Sequence, residues 1–124
     1  MTLDQILETA RQAGMNAGAN HNPTPVVFGT AKNILSNEID YTQPTYYEEE
    51  GLCGFAWVKI SPARGKFVNY LKKLGIGRRS YQGGYDIWIS EFGQSYERKA
   101  AYADAFAKVL NENGIKAYAM SRLD

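Results

Sequence analysis

The residues from Cys53 to Ile60, CGFAWVKI, decide the fold because they form the start of the most regular part of the chain. From Phe55 onwards, bulky or charged side chains at odd positions alternate with small or aliphatic ones at even positions. This alternation predicts a β-strand with two chemically different faces. Ser61-Pro62 then predicts the start of a helix, with serine as the N-cap and proline in the first helical position.

The segments after this helix continue the alternation of strands and helices. Residues 77–92 (GRRSYQGGYDIWISEF) predict two short strands joined by a turn at Gly83-Gly84. Ser95 is expected to cap a second helix, and residues 115–121 (IKAYAMS) predict a final strand. The order from residue 53 is therefore β-α-β-β-α-β, the ferredoxin-like pattern of one antiparallel sheet with both helices on one face. We predict an α+β fold; the alternative is an α+β fold with another sheet order.

The N-terminal part is less regular. Apolar residues at helical spacing predict a helix from Leu3 to about Met15, with Thr2 as a possible N-cap. Residues 17–25 (AGANHNPTP) are rich in residues that interrupt regular structure and predict a linker. Residues 26–28 predict a short strand, and the acidic, tyrosine-rich residues 36–51 predict a long surface loop.

The length of 124 residues fits a single domain, 1–124. We expect a helix, strand and loop extension over residues 1–50 to precede an α+β core over residues 53–121. The chain is 44% hydrophobic and 22% charged, which is typical of globular proteins and argues against a disordered or fibrous one. No apolar run is long enough to span a membrane, so no membrane partner is expected.

The net charge of +1 hides an uneven distribution along the chain. Residues 1–58 carry two basic and seven acidic side chains, whereas residues 59–99 carry nine basic and three acidic ones. A basic segment in a nearly neutral chain favours a local anion site over a nucleic-acid-coating surface. Contact between subunits, or plain solvated charge, is an alternative interpretation.

Residue sets that could carry catalysis are scarce. His21 lies in the predicted linker, where a general base would be poorly held, and Cys53 is expected to be a small core residue. The three glutamates of residues 48–50 are interpreted as a solvated loop. One histidine and one cysteine do not make a common zinc site, and no phosphate-binding glycine loop is present. We therefore expect no enzymatic activity, no metal and no cofactor, and a reducing, cytoplasmic location.

The sequence supports anion binding better than it supports catalysis. Arg78 and Arg79 lie on the predicted hairpin, where their guanidinium groups can clamp a phosphate while Tyr81 stacks on a base. Gln94-Ser95, followed by two basic residues, is the start of a predicted helix, where free backbone N–H groups attract anions. The alternative for each cluster is helix capping or surface charge.

Two further features bear on a site. Arg64, Gly65 and Lys66 lie in the first turn of the first helix predicted after the strand at 53–60, which makes them a candidate second anion site. Trp57 and Trp88 could be stacking platforms, although a core position is the expectation for large aromatic residues on strands.

Several short segments between residues 59 and 124 resemble small phage proteins, in particular the first Thoeris anti-defence family of nucleotide sponges. The segments are GKFVNYLKK, GGYDIWI, QSYERKAAYADAFAKVL, NGIKAYA and SRLD. The resemblance implies an oligomeric protein of the host bacterial cytoplasm. It implies that the protein binds cyclic ADP-ribose-type immune signals, and in some members cyclic oligonucleotides, without cleaving them. The positions that it carries over are Arg78, Arg79, Gln94, Ser95, Arg122 and Asp124.

Arg122 would neutralise a pyrophosphate, and Asp124 would accept a hydrogen bond from a ribose or an adenine amino group. The partners expected are therefore a small cyclic nucleotide and further copies of the chain, as a dimer or a multiple of it. Two other functions stay open. One is a single-stranded nucleic-acid-binding module like an RRM, and the other is a structural protein that makes subunit contacts.

Overall fold

The computed structural model describes residues 1–29, 38–40, 42–43 and 45–124. Over these residues the chain is α+β, with three helices, two antiparallel sheets and a helix at the N-terminal end. In chain order the elements are α1 (Leu3–Asn20), β1 (Val26–Gly29), β2 (Thr45–Glu48), β3 (Gly54–Ile60), α2 (Lys66–Leu74), β4 (Arg78–Arg79), β5 (Tyr85–Trp88), α3 (Tyr96–Glu112) and β6 (Ala117–Leu123). No described helix has the length and apolar character that crossing a membrane requires.

The larger sheet has the strand order β4-β5-β3-β6, and each neighbouring pair is antiparallel. β3 lies in the interior of this sheet, with Trp57 opposite Trp88 of β5 on one side and opposite Met120 of β6 on the other. β1 and β2 form a separate two-stranded sheet. The central strand therefore fixes which side chains of β5 and β6 share each face.

The core lies on one face of the larger sheet. The even-numbered side chains Ala56, Val58 and Ile60 of β3 are buried there against residues from all three helices. Phe106 of α3 and Leu71 of α2 are among the largest fully buried side chains. The predicted alternation of β3 is confirmed, because every even position from Gly54 to Ile60 is buried and every odd position is partly exposed.

α1 is longer than predicted and continues to Asn20, through two glycines that were expected to weaken it. The cause is close packing. A Cβ atom on Gly14 would lie 2.9 Å from the ring of Tyr102, and one on Gly18 would lie 2.3 Å from the ring of Phe92. These glycines allow α1 to approach α3 and the loop before it. The predicted cap at Thr2 is confirmed, with a full capping box.

The interpretation of residues 36–51 as one long loop is wrong at residues 45–48. These residues form β2, which pairs with β1 from Val26↔Glu48 to Gly29↔Thr45. Threonine and tyrosine both suit a strand, and the acidic composition of the segment concealed this preference. Residues 36, 37, 41 and 44 of the expected loop lie outside the described residues.

α2 begins at Lys66, four residues after the predicted position at Pro62. The N–H of Ser61 donates to the carbonyl of Lys116, so this residue still belongs to the hydrogen-bonded end of β3. The chain then turns at Gly65, whose positive φ of 111° favours glycine, and that residue is the N-cap. Gly75 ends the helix in the left-handed conformation.

The start of α3 connects the N-terminal extension to the rest of the chain. Ser95 caps α3 as predicted, and its hydroxyl also donates to the carbonyl of Glu50. Arg98 donates to the carboxylate of Glu50 at 2.6 Å and to the carbonyls of Gly18 and Ala19 at the end of α1. The arginine thus satisfies carbonyls that the helix leaves unpaired.

His21 belongs to the same junction. Its side chain is bonded to another residue, although an exposed and poorly held residue of the linker was expected. Its Nε2 lies 3.0 Å from the carboxylate of Glu97, which also accepts from the backbone N–H of Thr24 at 2.7 Å. The hydrogen bond from His21, followed by the one from Thr24, holds the pKa of Glu97 below its usual value. The carboxylate form of Glu97 is therefore favoured by folding.

This junction gives a pH-dependent prediction. Because the pKa of Glu97 is depressed in the folded state, its contribution to stability is present above the usual carboxyl pKa of 4.5 and is lost as the pH falls through the depressed value. Glu97→Gln should lower the free energy of unfolding at pH 7, and the difference from wild type should shrink below about pH 4. Urea denaturation at a series of pH values measures this. Asp104→Asn, on the exposed side of the same helix, is the control, and an equal loss there would contradict the assignment.

Candidate functional site

The face of the larger sheet opposite the helices carries the candidate site, and we call it the open face. Its side chains come from the odd positions of β3 and from the register partners of those positions. They are Phe55, Trp57, Lys59, Arg78, Asp86, Trp88, Tyr118, Met120 and Arg122. Several are exposed although apolar, including Trp88 at 37% and Tyr118 at 51%. Exposed aromatic residues grouped on one face indicate a binding surface.

The floor of the open face is aromatic. The indoles of Trp57 and Trp88 stack with centroids 4.5 Å apart and planes 24° apart. Phe55 meets Trp88 edge-on at 6.4 Å, and the guanidinium of Arg122 lies over the Phe55 ring at 5.2 Å. These contacts hold the side chains in defined positions, so the floor is formed before any ligand arrives.

A cavity of about 490 Å³ lies over this floor. Its walls come from the hairpin between β4 and β5 and from the end of β6. It is lined by Trp57, Arg78, Arg79, Ser80, Tyr81, Gln82, Asp86, Trp88 and Arg122. A volume of this order is that of a small-molecule site.

The charge around the cavity is positive. Lys59 and Asp86 neutralise each other in an ion pair of 2.9 Å, and the same Lys59 amine donates to the carbonyl of Gly83 at 2.6 Å. No carboxylate of the described residues lies within ion-pair distance of Arg78, Arg79 or Arg122. Three guanidinium groups are therefore left to attract an anion.

The structure brings together four of the residues that the sequence selected for ligand binding. These are Arg78, Arg79, Tyr81 and Arg122, and all of them line the cavity. Strand alternation predicts that at most one of the two neighbouring arginines points into it. Both residues line the cavity; Arg78 lies opposite Asp86 of the open face and Arg79 opposite the buried Tyr85, so the direction of the two side chains stays a prediction.

The expectation that Trp57 and Trp88 lie in the core is wrong. The core side of β3 is filled by small aliphatic residues, which leaves the odd positions to the open face. Trp88 lies on the same face because it is the register partner of Trp57. Pairing between strands is the signal that identifies this stacked pair, and one strand by itself does not contain it.

Gln94 and Ser95 lie elsewhere. They line a second cavity of about 270 Å³ together with Cys53, Glu48 and Glu50. Ser95 is buried, and its hydroxyl is engaged in the contacts of the α3 cap. Glu50 is paired with Arg98, Glu48 adds a negative charge, and no basic side chain lines this cavity, so it is unfavourable for a phosphate. Cys53 is exposed rather than in the core, because it precedes the buried part of β3.

The remaining predicted residues lie at two other places. The backbone N–H of Asp124 donates to the carbonyl of Cys53, so Asp124 follows the end of β6 and does not line the open-face cavity. Arg64, Gly65 and Lys66 precede and begin α2, where they line a mostly apolar cavity of about 440 Å³.

The chain matches no protein-family model, no curated protein and no solved structure.

Proposed function

We propose that the open face binds a phosphorylated nucleotide. The observation that carries this proposal is the combination of a stacked Trp57–Trp88 floor with three arginines that have no carboxylate partner among the described residues. An aromatic floor offers a base a flat apolar surface on which to stack. Guanidinium groups at the walls offer paired N–H donors to phosphate oxygens. The base of a nucleotide would therefore contact the indoles, and its phosphates would contact the guanidinium groups.

We further propose that the protein holds its ligand without converting it. Neither the one histidine nor the one cysteine of the chain lines the open-face cavity. Its carboxylate, Asp86, is 6% exposed and engaged with Lys59, so it is poorly placed as a general base. Together with the resemblance of residues 59–124 to anti-Thoeris proteins, this supports a phage anti-defence role. In that role the protein would sequester cyclic ADP-ribose-type signals in the host cytoplasm.

Binding of single-stranded nucleic acid is the second candidate. Tyr118 and Met120 extend the open face along β6 beyond the cavity, and both are exposed. In an RRM, bases stack on aromatic residues of a four-stranded sheet whose other face is covered by helices. A strand of several bases would use this longer surface, whereas a small nucleotide would occupy the cavity alone.

We also propose that the chain from β3 to β6 has the ferredoxin-like topology. The element order β3-α2-β4-β5-α3-β6 and the sheet order β4-β5-β3-β6 support this assignment. In such a topology each crossover helix joins two parallel strands that are separated by one antiparallel strand. An experimental structure that places α2 and α3 on opposite faces of the sheet would refute it.

The test of the binding proposal is calorimetry with cyclic ADP-ribose as the probe. Arg122→Ala and Arg78→Ala should each weaken binding at least about tenfold, because one charge-assisted hydrogen bond is worth roughly 1.5–3 kcal/mol. Lys72→Ala and Lys73→Ala are the controls, because these exposed lysines lie on α2 and do not line the cavity. They should change the affinity less than about twofold.

Two results would contradict the proposal. If the lysine variants lose as much affinity as the arginine variants, binding is a diffuse electrostatic effect and the nucleic-acid candidate gains. If mass spectrometry of the denatured mixture finds more cleaved probe than one molecule per chain, the protein is an enzyme.

A further inference from the structure

The two edges of the larger sheet differ in their exposure to further pairing. β4, at one edge, has only two residues, both arginines, followed by an exposed turn. β6, at the other edge, has seven residues and contains no proline and no lysine. Short, charged edge strands are protected against pairing, whereas a seven-residue strand with a single charged side chain, Arg122 over the Phe55 ring, is less protected. Of these two edges of the larger sheet, β6 is the one suited to accept another strand.

The direction of the backbone hydrogen bonds shows which groups of β6 are free. The N–H of Ile89 donates to the carbonyl of Ala56, so the even residues of β3 face β5 and the odd ones face β6. Their partners in β6 are its even residues, which point their backbone groups back at β3. The odd residues of β6 therefore direct their N–H and C=O groups away from the sheet.

One end of this outer edge is already closed. The side chain of Asn111 donates to the carbonyl of Ala117 at 2.8 Å and accepts from its N–H at 3.1 Å, as a neighbouring strand would. The backbone groups of Ala119, Ser121 and Leu123 on the same edge have no partner among the described residues. The segment that can pair is therefore limited to residues 119–123.

We propose that this segment pairs with the same segment of a second copy of the chain, antiparallel and centred on Ser121. In this register Ala119 of each copy lies opposite Leu123 of the other, and the two Ser121 residues lie opposite each other. Each of these three pairs exchanges two backbone hydrogen bonds, about six in total. The partly exposed Tyr118, Met120 and Leu123 lose exposed apolar surface on pairing.

Charge complementarity favours a second copy in the antiparallel direction. Lys116 and Asp124 are both exposed; Lys116 lies three residues before the segment and Asp124 directly follows it. Antiparallel pairing centred on Ser121 places Lys116 of each copy diagonal to Asp124 of the other, within reach of a long side chain. A parallel second copy would instead place like charges side by side. The segment is therefore self-complementary about a two-fold axis.

The pairing has a consequence for the open face, which rests on the proposed function. A two-fold axis through Ser121, perpendicular to the sheet, leaves both open faces on the same side. It places Arg122 of one copy about 7–8 Å from Arg122 of the other, at a diagonal position, so this one repulsive pair opposes the two attractive Lys116–Asp124 pairs until an anion bound between the arginines neutralises it. Each cavity then has an additional guanidinium at its border. The pairing itself does not depend on any ligand, so its test uses none.

Sedimentation equilibrium over a range of protein concentrations tests the proposal. The wild-type chain should be a dimer at micromolar concentration, and Ser121→Pro should be a monomer, because proline removes the N–H at the centre of the interface. That N–H makes no bond to β3, so the folded subunit should tolerate its loss. Ser121→Ala is the matched control: it removes the hydroxyl that lies 3.2 Å from Tyr96 and keeps the N–H, and it should remain a dimer.

A charge exchange keeps the test valid if the proline variant does not fold. Lys116→Glu should weaken the dimer, and adding Asp124→Lys should restore it. A wild-type monomer at about 100 µM, or a dimer that is unaffected by both Ser121→Pro and Lys116→Glu, would overturn the proposal. Because no nucleotide is present, either result leaves the proposal of nucleotide binding untouched.

Discussion

Phe106→Ala should lower the free energy of unfolding by about 3–5 kcal/mol. Phe106 of α3 is 2% exposed, and its ring stacks on that of Tyr102 with centroids 6.0 Å apart. Truncation removes the buried apolar surface and leaves a cavity between α3 and the sheet, into which neighbouring side chains can relax only in part. A loss of this size is a large share of the stability of a small domain.

Urea denaturation followed by circular dichroism measures the loss. Lys108→Ala is the matched control, because Lys108 is exposed on the same helix and should change the stability by less than about 0.5 kcal/mol. A cost below about 1 kcal/mol for the phenylalanine variant would mean that α3 does not pack on the sheet as described.

Trp57→Ala should weaken the binding of cyclic ADP-ribose by about 10- to 100-fold. Base stacking on an aromatic side chain contributes roughly 1–3 kcal/mol per base, and a decade of affinity corresponds to about 1.4 kcal/mol. The variant removes half of the stacked floor and also the contact that orients Trp88. Trp57→Phe keeps an aromatic surface and should retain most of the affinity.

The control for this prediction separates the two candidate functions. Tyr118 is exposed on the open face but does not line the cavity. Tyr118→Ala should leave the affinity for cyclic ADP-ribose unchanged if the small nucleotide is the ligand. The opposite outcome has two parts: the wild-type protein does not bind cyclic ADP-ribose, and Tyr118→Ala and Trp57→Ala both weaken its binding of a short oligothymidylate. In that case the ligand is single-stranded nucleic acid.

Local patterns in the sequence predicted most of the elements and their order. Thr2, Ser95 and Gly75 set helix ends through short-range hydrogen bonds or backbone conformation, which act within a few residues. Strand β3 was evident because alternation is a local property of one strand. Gly83 and Gly84 marked the hairpin turn, and both have positive φ.

Predictions from the sequence are wrong where contacts with distant residues determine the bounds of a helix. Gly18 was expected to weaken α1, but it lies against Phe92, more than 70 residues away. Pro62 was expected to begin α2, but the bond between Ser61 and Lys116 keeps that region at the sheet. Contacts of this kind depend on the tertiary fold, and local propensity is too weak to oppose them.

The same difference applies to the site. Arg78, Arg79 and Tyr81 are close in sequence, so their grouping was visible as a cluster of basic and aromatic residues. Arg122 is distant in sequence and was predicted as a site residue only from the family resemblance. The pairing of β6 with β3 brings it to the same cavity. The stacking of Trp57 on Trp88 depends on register alone, and no property of either segment predicts it.

The position of the stacked indoles makes the protein its own optical reporter. The chain contains two tryptophans, and both lie in the floor of the open-face cavity. Their fluorescence therefore originates entirely at the candidate site, with no background from tryptophans elsewhere in the chain. A base that stacks on either indole should change that emission directly, so ligands can be screened on the unlabelled wild-type protein without introducing a probe.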